Sequence, residues 1–123
     1  MNDRRTLWLI AIGLLWWSVS WVGCAWAHIH DRPDLDAWFQ TLVNGWGNPC
    51  CEFNEAIDIA DANWDTAVVD GKSHYRILLK SEWVVIDEES VVNQPNKAGT
   101  ALAWVTYTNG KPWVKCFLPG AGG

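Results

Sequence analysis

The chain has 123 residues, with 14 acidic side chains against 9 basic ones and a formal net charge of −5 at pH 7. This length suits one domain with a modest core and does not suit several domains. The acidic excess argues against nucleic acid as a partner, because a protein that binds the phosphate backbone needs a basic face.

The first 27 residues have the pattern of a secretory signal. Two arginines stand before an uncharged apolar run, and small residues at Ala25 and Ala27 provide a cleavage site. We predict a signal peptide over 1–27 and a single small exported domain over 28–123, periplasmic or secreted, with no membrane attachment after cleavage. Two alternatives stay open: acylation at Cys24, and retention of the apolar run as an anchor, since its length suffices to span a bilayer.

Cleavage after Ala27 would leave His28-Ile29-His30 as the new amino terminus. Its terminal amine, two backbone amides and the His30 imidazole can surround one square-planar metal, a geometry that selects Cu(II) or Ni(II). Neither Ile29 nor His30 is a proline, which would have no amide proton to lose. The terminus is therefore a metal-site hypothesis with His28 and His30 as ligands, and the rest of the sequence indicates no cofactor.

Three cysteines follow the proposed signal, at Cys50, Cys51 and Cys116. Disulfides persist in exported proteins, so we predict one bridge from Cys116 to either Cys50 or Cys51. Such a bridge would staple a domain too small to rely on its core alone. A thiol redox role for the adjacent pair is an alternative function, although the pair lacks the C-x-x-C spacing of oxidoreductases.

Residues 31–47 have the pattern of an N-terminal helix. Pro33 suits a first helical turn, and apolar residues recur at helical spacing, namely Leu35, Trp38, Phe39, Leu42 and Val43. Asn44-Gly45 would end the helix in the left-handed conformation, and Trp46 would fold back on its last turn. We expect the apolar stripe to face the core.

Beyond the cysteines the apolar period changes to two, which is typical of strands. One predicted hairpin turns at Lys80-Ser81, and another turns at Asn109-Gly110, the strongest short hairpin signal. The first places one set of apolar residues on a common face: Tyr75, Ile77, Val84 and Ile86. Residues 56–61 can add an edge strand. We predict an α+β fold, in which one N-terminal helix packs on a small antiparallel sheet or open barrel made of two hairpins, stapled by the disulfide.

Counting outward from Asn109-Gly110 places Trp104, Trp113 and Lys115 on one face of the second hairpin and Cys116 on the other. Tryptophan is enriched both in small cores and at binding surfaces. We predict a non-catalytic interaction module that binds an unknown protein or glycan through Trp104, Trp113 and Lys115. The motifs of hydrolases and metalloproteases, G-x-S-x-G and H-E-x-x-H, do not occur.

Five segments of the sequence together resemble a set of small uncharacterised exported proteins of proteobacteria. They are HDRPDLDAWF, CC, HYRILL…EWVVID, QPNKAG and CFLPG. The resemblance covers most of the chain after the signal, and its most specific parts are the adjacent cysteines and the terminal CFLPG. It implies export and a cysteine framework, and it implies no activity, cofactor or partner.

Overall fold

A computed structural model of the protein describes residues 32–52 and 55–121. The proposed signal peptide, the alternative of acylation at Cys24 and the proposed metal ligands His28 and His30 lie outside the described residues. Within the described part, none of the helices has the length and apolar character needed to cross a membrane.

The described residues form one short helix and two antiparallel sheets of three strands each. Helix α1 spans Asp36–Phe39 and follows a 3-10 turn at Pro33–Leu35. The first sheet has the strand order β1-β5-β6 and the second has β2-β3-β4. The strands are β1 Ile57–Ile59, β2 Trp64–Val69, β3 Lys72–Leu79, β4 Glu82–Val85, β5 Ala101–Thr108 and β6 Lys111–Leu118.

Both predicted hairpins are confirmed, together with the predicted edge strand β1. Lys80 and Ser81 have φ values of 48° and 71°, and Asn109 and Gly110 have 51° and 77°. Two consecutive left-handed residues make a turn whose twist matches that of the flanking strands. Strands β3 and β4 pair in the register counted from the sequence, with Ile77 opposite Val84.

A third hairpin, between β2 and β3, is absent from the prediction. It turns at Asp70 and Gly71, whose φ values are 51° and 77°. Asp-Gly after the β-branched Val68 and Val69 is a strong local hairpin signal, so the sequence contained the information. Strand β2 extends the β3–β4 hairpin into a three-stranded sheet, and β1 does the same for the β5–β6 hairpin. The strands thus form two three-stranded antiparallel sheets, where the sequence predicted one small antiparallel sheet or open barrel made of two hairpins.

The ladder between β5 and β6 contains a bulge at Lys115. Val105 pairs with Val114 as counted from the turn, but Trp104 pairs with Cys116, so Lys115 is an additional residue in β6. Because side chains alternate between faces, one additional residue reverses the face of every residue beyond it. The bulge places Cys116 on the face of Trp104, and the predicted separation of these two residues is wrong.

The first sheet is buried on both faces. One face packs against the N-terminal segment, residues 32–52, in a cluster that includes Leu35, Phe39, Leu42, Leu102, Trp104, Cys116 and Leu118. The other face packs against the second sheet, in a cluster that includes Trp64, Ile77, Leu79, Ala101, Ala103, Val114 and Phe117. The Phe117 ring lies 5.8 Å from that of Trp64 and 5.3 Å from that of Tyr75, measured between centroids. These contacts join the two sheets.

The helix is much shorter than predicted, because other partners take the backbone groups that would continue it. The Gln94 side chain donates to the Thr41 carbonyl oxygen at 3.0 Å and accepts from the Val43 N–H at 2.9 Å. Val43 then forms an isolated antiparallel bridge with Pro49. The chain therefore reverses direction after Phe39, where the apolar stripe predicted further helix.

The reversal brings Cys50 to Cys116, and the structure contains a disulfide between them with a Cα–Cα distance of 5.7 Å. Both cysteines are fully buried. The bridge was predicted, and the structure selects Cys50 over Cys51. Cys51 is buried as well, and its Sγ donates to the Phe39 carbonyl oxygen at 3.5 Å. A buried structural disulfide is typical of proteins that reside in an oxidising compartment.

Replacing both Cys50 and Cys116 by alanine removes a bridge between positions that are 66 residues apart. We expect the free energy of unfolding to fall by about 4 kcal/mol, because the unfolded chain regains the entropy that the bridge removes. Urea unfolding of the oxidised wild type and the double variant, followed by tryptophan fluorescence, measures the difference. A loss below about 1 kcal/mol would contradict this role of the bridge.

Candidate functional site

Of the three residues predicted to form a binding face, one lies at the surface. Trp104 is fully buried, with its ring edge-on to Phe39 at a centroid distance of 6.3 Å. The expectation that Trp104 belongs to an exposed surface is therefore wrong, because the N-terminal segment covers it. The Lys115 side chain is only 13% exposed, and its Nζ lies 3.2 Å from Glu52 Oε2. Trp113 is 44% exposed.

A second exposed tryptophan lies beside Trp113. The rings of Trp46 and Trp113 have a centroid distance of 6.3 Å and an interplanar angle of 33°. Trp46 is 48% exposed. We call these two residues the aromatic pair. Sequence reasoning missed Trp46 as a surface residue, because the predicted helix would have used it to cover its own last turn.

The position of Trp46 is fixed by the buried side chain of Asn44. Its Nδ2 donates to the carbonyl oxygen of Lys115 at 3.1 Å. Its Oδ1 accepts from the N–H groups of Trp46, at 3.1 Å, and Asn48, at 3.0 Å. The left-handed residue of this loop is Gly47, with φ 81°, and not the predicted Asn44-Gly45. One side chain thus ties the loop to the bulge of β6, the strand that carries Trp113.

An acidic segment packs against the same loop. The Gly45 N–H donates to the Glu89 carbonyl oxygen at 2.6 Å, and a Cβ at Gly45 would lie 2.9 Å from the Glu89 Cα. Glycine is therefore required for this approach. Glu89 lies in a 3-10 turn, Glu88–Ser90, that follows Asp87 and contacts β6. The Asp87, Glu88 and Glu89 side chains are exposed, and no ion pair is found for them within the described residues.

Two other exposed aromatic rings, those of Trp83 and Tyr107, make cation–π contacts with basic side chains of the protein itself. The Arg76 Cζ lies 4.4 Å from the ring centroid of Trp83, and the Lys80 Nζ lies 4.5 Å from that of Tyr107. Arg76 also binds both carboxylate oxygens of Asp65, at 2.5 and 2.9 Å. This bond, to a permanently charged guanidinium, holds the pKa of the Asp65 carboxyl below its usual value.

The alternative functions find no support among the described residues. No group of three or more histidine, cysteine or carboxylate side chains suited to a metal occurs there, and His28 and His30 lie outside this part of the chain. Thiol–disulfide exchange needs a sulfur that an external thiolate can reach. The sulfurs of Cys50, Cys51 and Cys116 belong to buried residues.

Comparisons with protein-family models, with curated proteins and with solved structures give no match. The function is therefore inferred from the geometry of the chain itself. Its most distinctive surface feature is the aromatic pair, which is held on one side by a strand and on the other by a loop clamped to that strand. A surface of this kind can bind a ligand without covalent chemistry.

Replacing Asn44 by alanine leaves the Lys115 carbonyl oxygen and the N–H groups of Trp46 and Asn48 without their side-chain partner. We expect the free energy of unfolding to fall by about 2 kcal/mol, because unsatisfied buried polar groups keep their full desolvation cost. We also expect the near-ultraviolet circular dichroism of the Trp46–Trp113 contact to weaken.

Asn48→Ala is the matched control for this variant. Its side chain is exposed, and only its backbone binds Asn44, so it should change stability by less than about 0.5 kcal/mol. Urea unfolding and circular dichroism of both variants provide the measurement. Equal effects of the two substitutions would contradict the clamping role of Asn44.

Proposed function

We propose that the protein is a non-catalytic interaction module, exported to the periplasm or secreted, that binds another protein or a glycan through the aromatic pair Trp46 and Trp113. The observation that carries the proposal is the contact of two half-exposed indole rings, 6.3 Å apart. An apolar surface of this kind is costly in water and is commonly retained for binding.

The support of both rings favours tight binding. Trp113 belongs to a strand of the first sheet, and Trp46 belongs to a loop whose backbone is bound by Asn44. Side chains that are already ordered lose little further entropy when a ligand arrives. Tryptophan also buries a large area with few rotatable bonds, and it is enriched among the residues that dominate binding energy.

Two of the three binding residues predicted from the sequence have a different part in this proposal. Trp113 keeps its role, and Trp46 replaces the buried Trp104. Lys115 contributes through its backbone, since its carbonyl oxygen accepts the bond from Asn44 that holds the loop. Export is supported by the amino-terminal sequence pattern and by the buried disulfide, which suits an oxidising compartment.

The proposed function is tested by comparing how much protein or glycan three immobilised single variants retain from a native extract. The purified protein is immobilised and exposed to an extract of the extracytoplasmic fraction of its own source. We expect Trp46→Ala and Trp113→Ala each to reduce the retained protein or glycan by about tenfold or more, as for central interface tryptophans.

Trp83→Ala is the matched control, because Trp83 is exposed to a similar degree and lies on the second sheet. This variant should retain the same material as the wild type. Melting temperatures of the three variants establish that each is folded. Full retention by folded Trp46→Ala and Trp113→Ala proteins would contradict the proposed function, and so would an equal loss with Trp83→Ala.

A further inference from the structure

Among the described residues, the large exposed aromatic side chains fall into two groups. Trp83 and Tyr107 each have a cationic group of the chain, from Arg76 and Lys80, within 4.5 Å of the ring centroid. Trp46 and Trp113 are exposed to a similar extent, but none of the described residues places a cation over either ring. The π-face of an indole attracts a cation within about 6 Å of its centroid. The aromatic pair therefore offers indole faces that could accept a cation, as Trp83 and Tyr107 accept cations of the chain itself.

The charges next to the aromatic pair are predominantly negative. The Asp87–Glu89 segment contacts the loop of Trp46 through Gly45, and its three carboxylates are exposed. Two lysines of β6 flank Trp113. Lys111 is exposed, whereas the Lys115 ammonium group binds Glu52 and its side chain is mostly buried, so the three carboxylates of residues 87–89 outnumber the exposed cation. The excess of carboxylates attracts a positively charged ligand and disfavours nucleic acid or an anionic lipid surface.

From these two observations we infer that the aromatic pair binds an arginine side chain presented by a basic segment of a partner protein. The inference rests on the proposed function and deepens it, because it selects a protein over a glycan. The guanidinium lies over the indole rings of Trp46 and Trp113, while Glu88 and Glu89 supply opposite charge at the rim. Arginine suits this surface because its planar, weakly hydrated cation stacks on aromatic faces and always carries its charge.

The second sheet contains the same arrangement within the chain itself. There the Arg76 guanidinium lies over Trp83 and binds both oxygens of Asp65. A carboxylate and an indole thus hold one guanidinium between them at the protein surface. At the aromatic pair the indoles are present, exposed carboxylates belong to the segment that contacts the Trp46 loop through Gly45, and the partner supplies the guanidinium.

Titration with two short peptides tests the inference. The oxidised protein, labelled with ¹⁵N, is titrated with the peptide acetyl-Gly-Arg-Gly-Arg-Gly-amide and with its citrulline analogue, which has the same shape and no charge. The indole N–H resonances are assigned with the single tryptophan variants. We expect the arginine peptide to shift the Trp46 and Trp113 resonances with saturation, and the citrulline peptide to bind at least about fivefold more weakly. The Trp83 resonance should stay in place, because Arg76 already covers that ring.

Two charge variants provide the matched comparison. Glu88→Gln with Glu89→Gln should weaken the arginine peptide at least about threefold and should make its binding less sensitive to salt. Glu82→Gln, on the exposed strand β4, should leave it unchanged. Equal shifts with the citrulline peptide, an unchanged affinity in the Glu88, Glu89 double variant, or no shift of Trp46 and Trp113 with the arginine peptide would each overturn the inference.

The outcomes separate this inference from the function on which it rests. If native material is retained through Trp46 and Trp113 but the arginine peptide does not shift their resonances, the inference of an arginine ligand is wrong. The proposal of an interaction module is then still supported. A retained glycan would likewise overturn the basic partner and leave the interaction module in place. If retention does not depend on the two tryptophans, both proposals fail.

Discussion

The structure depends most on the bulge at Lys115 in strand β6. With this additional residue, Trp104 and Cys116 lie on one face of the first sheet, while Val114 and Phe117 lie on the other. Cys116 can then form its disulfide with the N-terminal segment, and Phe117 can pack on the second sheet. A regular ladder beyond the turn would exchange these faces. The bulge thus decides which side chains join each half of the core.

The same bulge connects the core to the surface. The Lys115 carbonyl oxygen accepts a bond from Asn44, and Asn44 holds the loop that carries Trp46 against Trp113. The N-terminal segment covers Trp104 but leaves Trp113 half-exposed. The proposed binding surface therefore lies where the cover of the first sheet ends, on backbone that the fold has already fixed. Binding there would require little reorganisation of the protein.

The sequence predicted the features that depend on neighbouring residues. The turns at Lys80-Ser81 and Asn109-Gly110 follow from residues that accept a positive φ, and the Asp70-Gly71 turn could have been found in the same way. The disulfide followed from few cysteines and an export pattern. The bulge, the short helix and the burial of Trp104 depend on contacts between distant residues, such as the bonds of Gln94 to Thr41 and Val43 across more than 50 positions. The periodicity of apolar residues does not reveal contacts between distant residues, so Trp46 was not predicted as a surface residue.

Hydrogen exchange at the individual indole N–H groups is the sharpest test of this structure, because the N-terminal segment covers Trp104 and leaves Trp46 and Trp113 at the surface. With resonances assigned, we expect slow exchange for Trp104, limited by opening of the core, and fast exchange for Trp46 and Trp113, whose rings are half-exposed. A nuclear Overhauser contact should also join the Trp46 and Trp113 rings. If Trp104 exchanged as fast as Trp113 and that contact were missing, the cover of the first sheet by the N-terminal segment and the proposed surface would both be wrong.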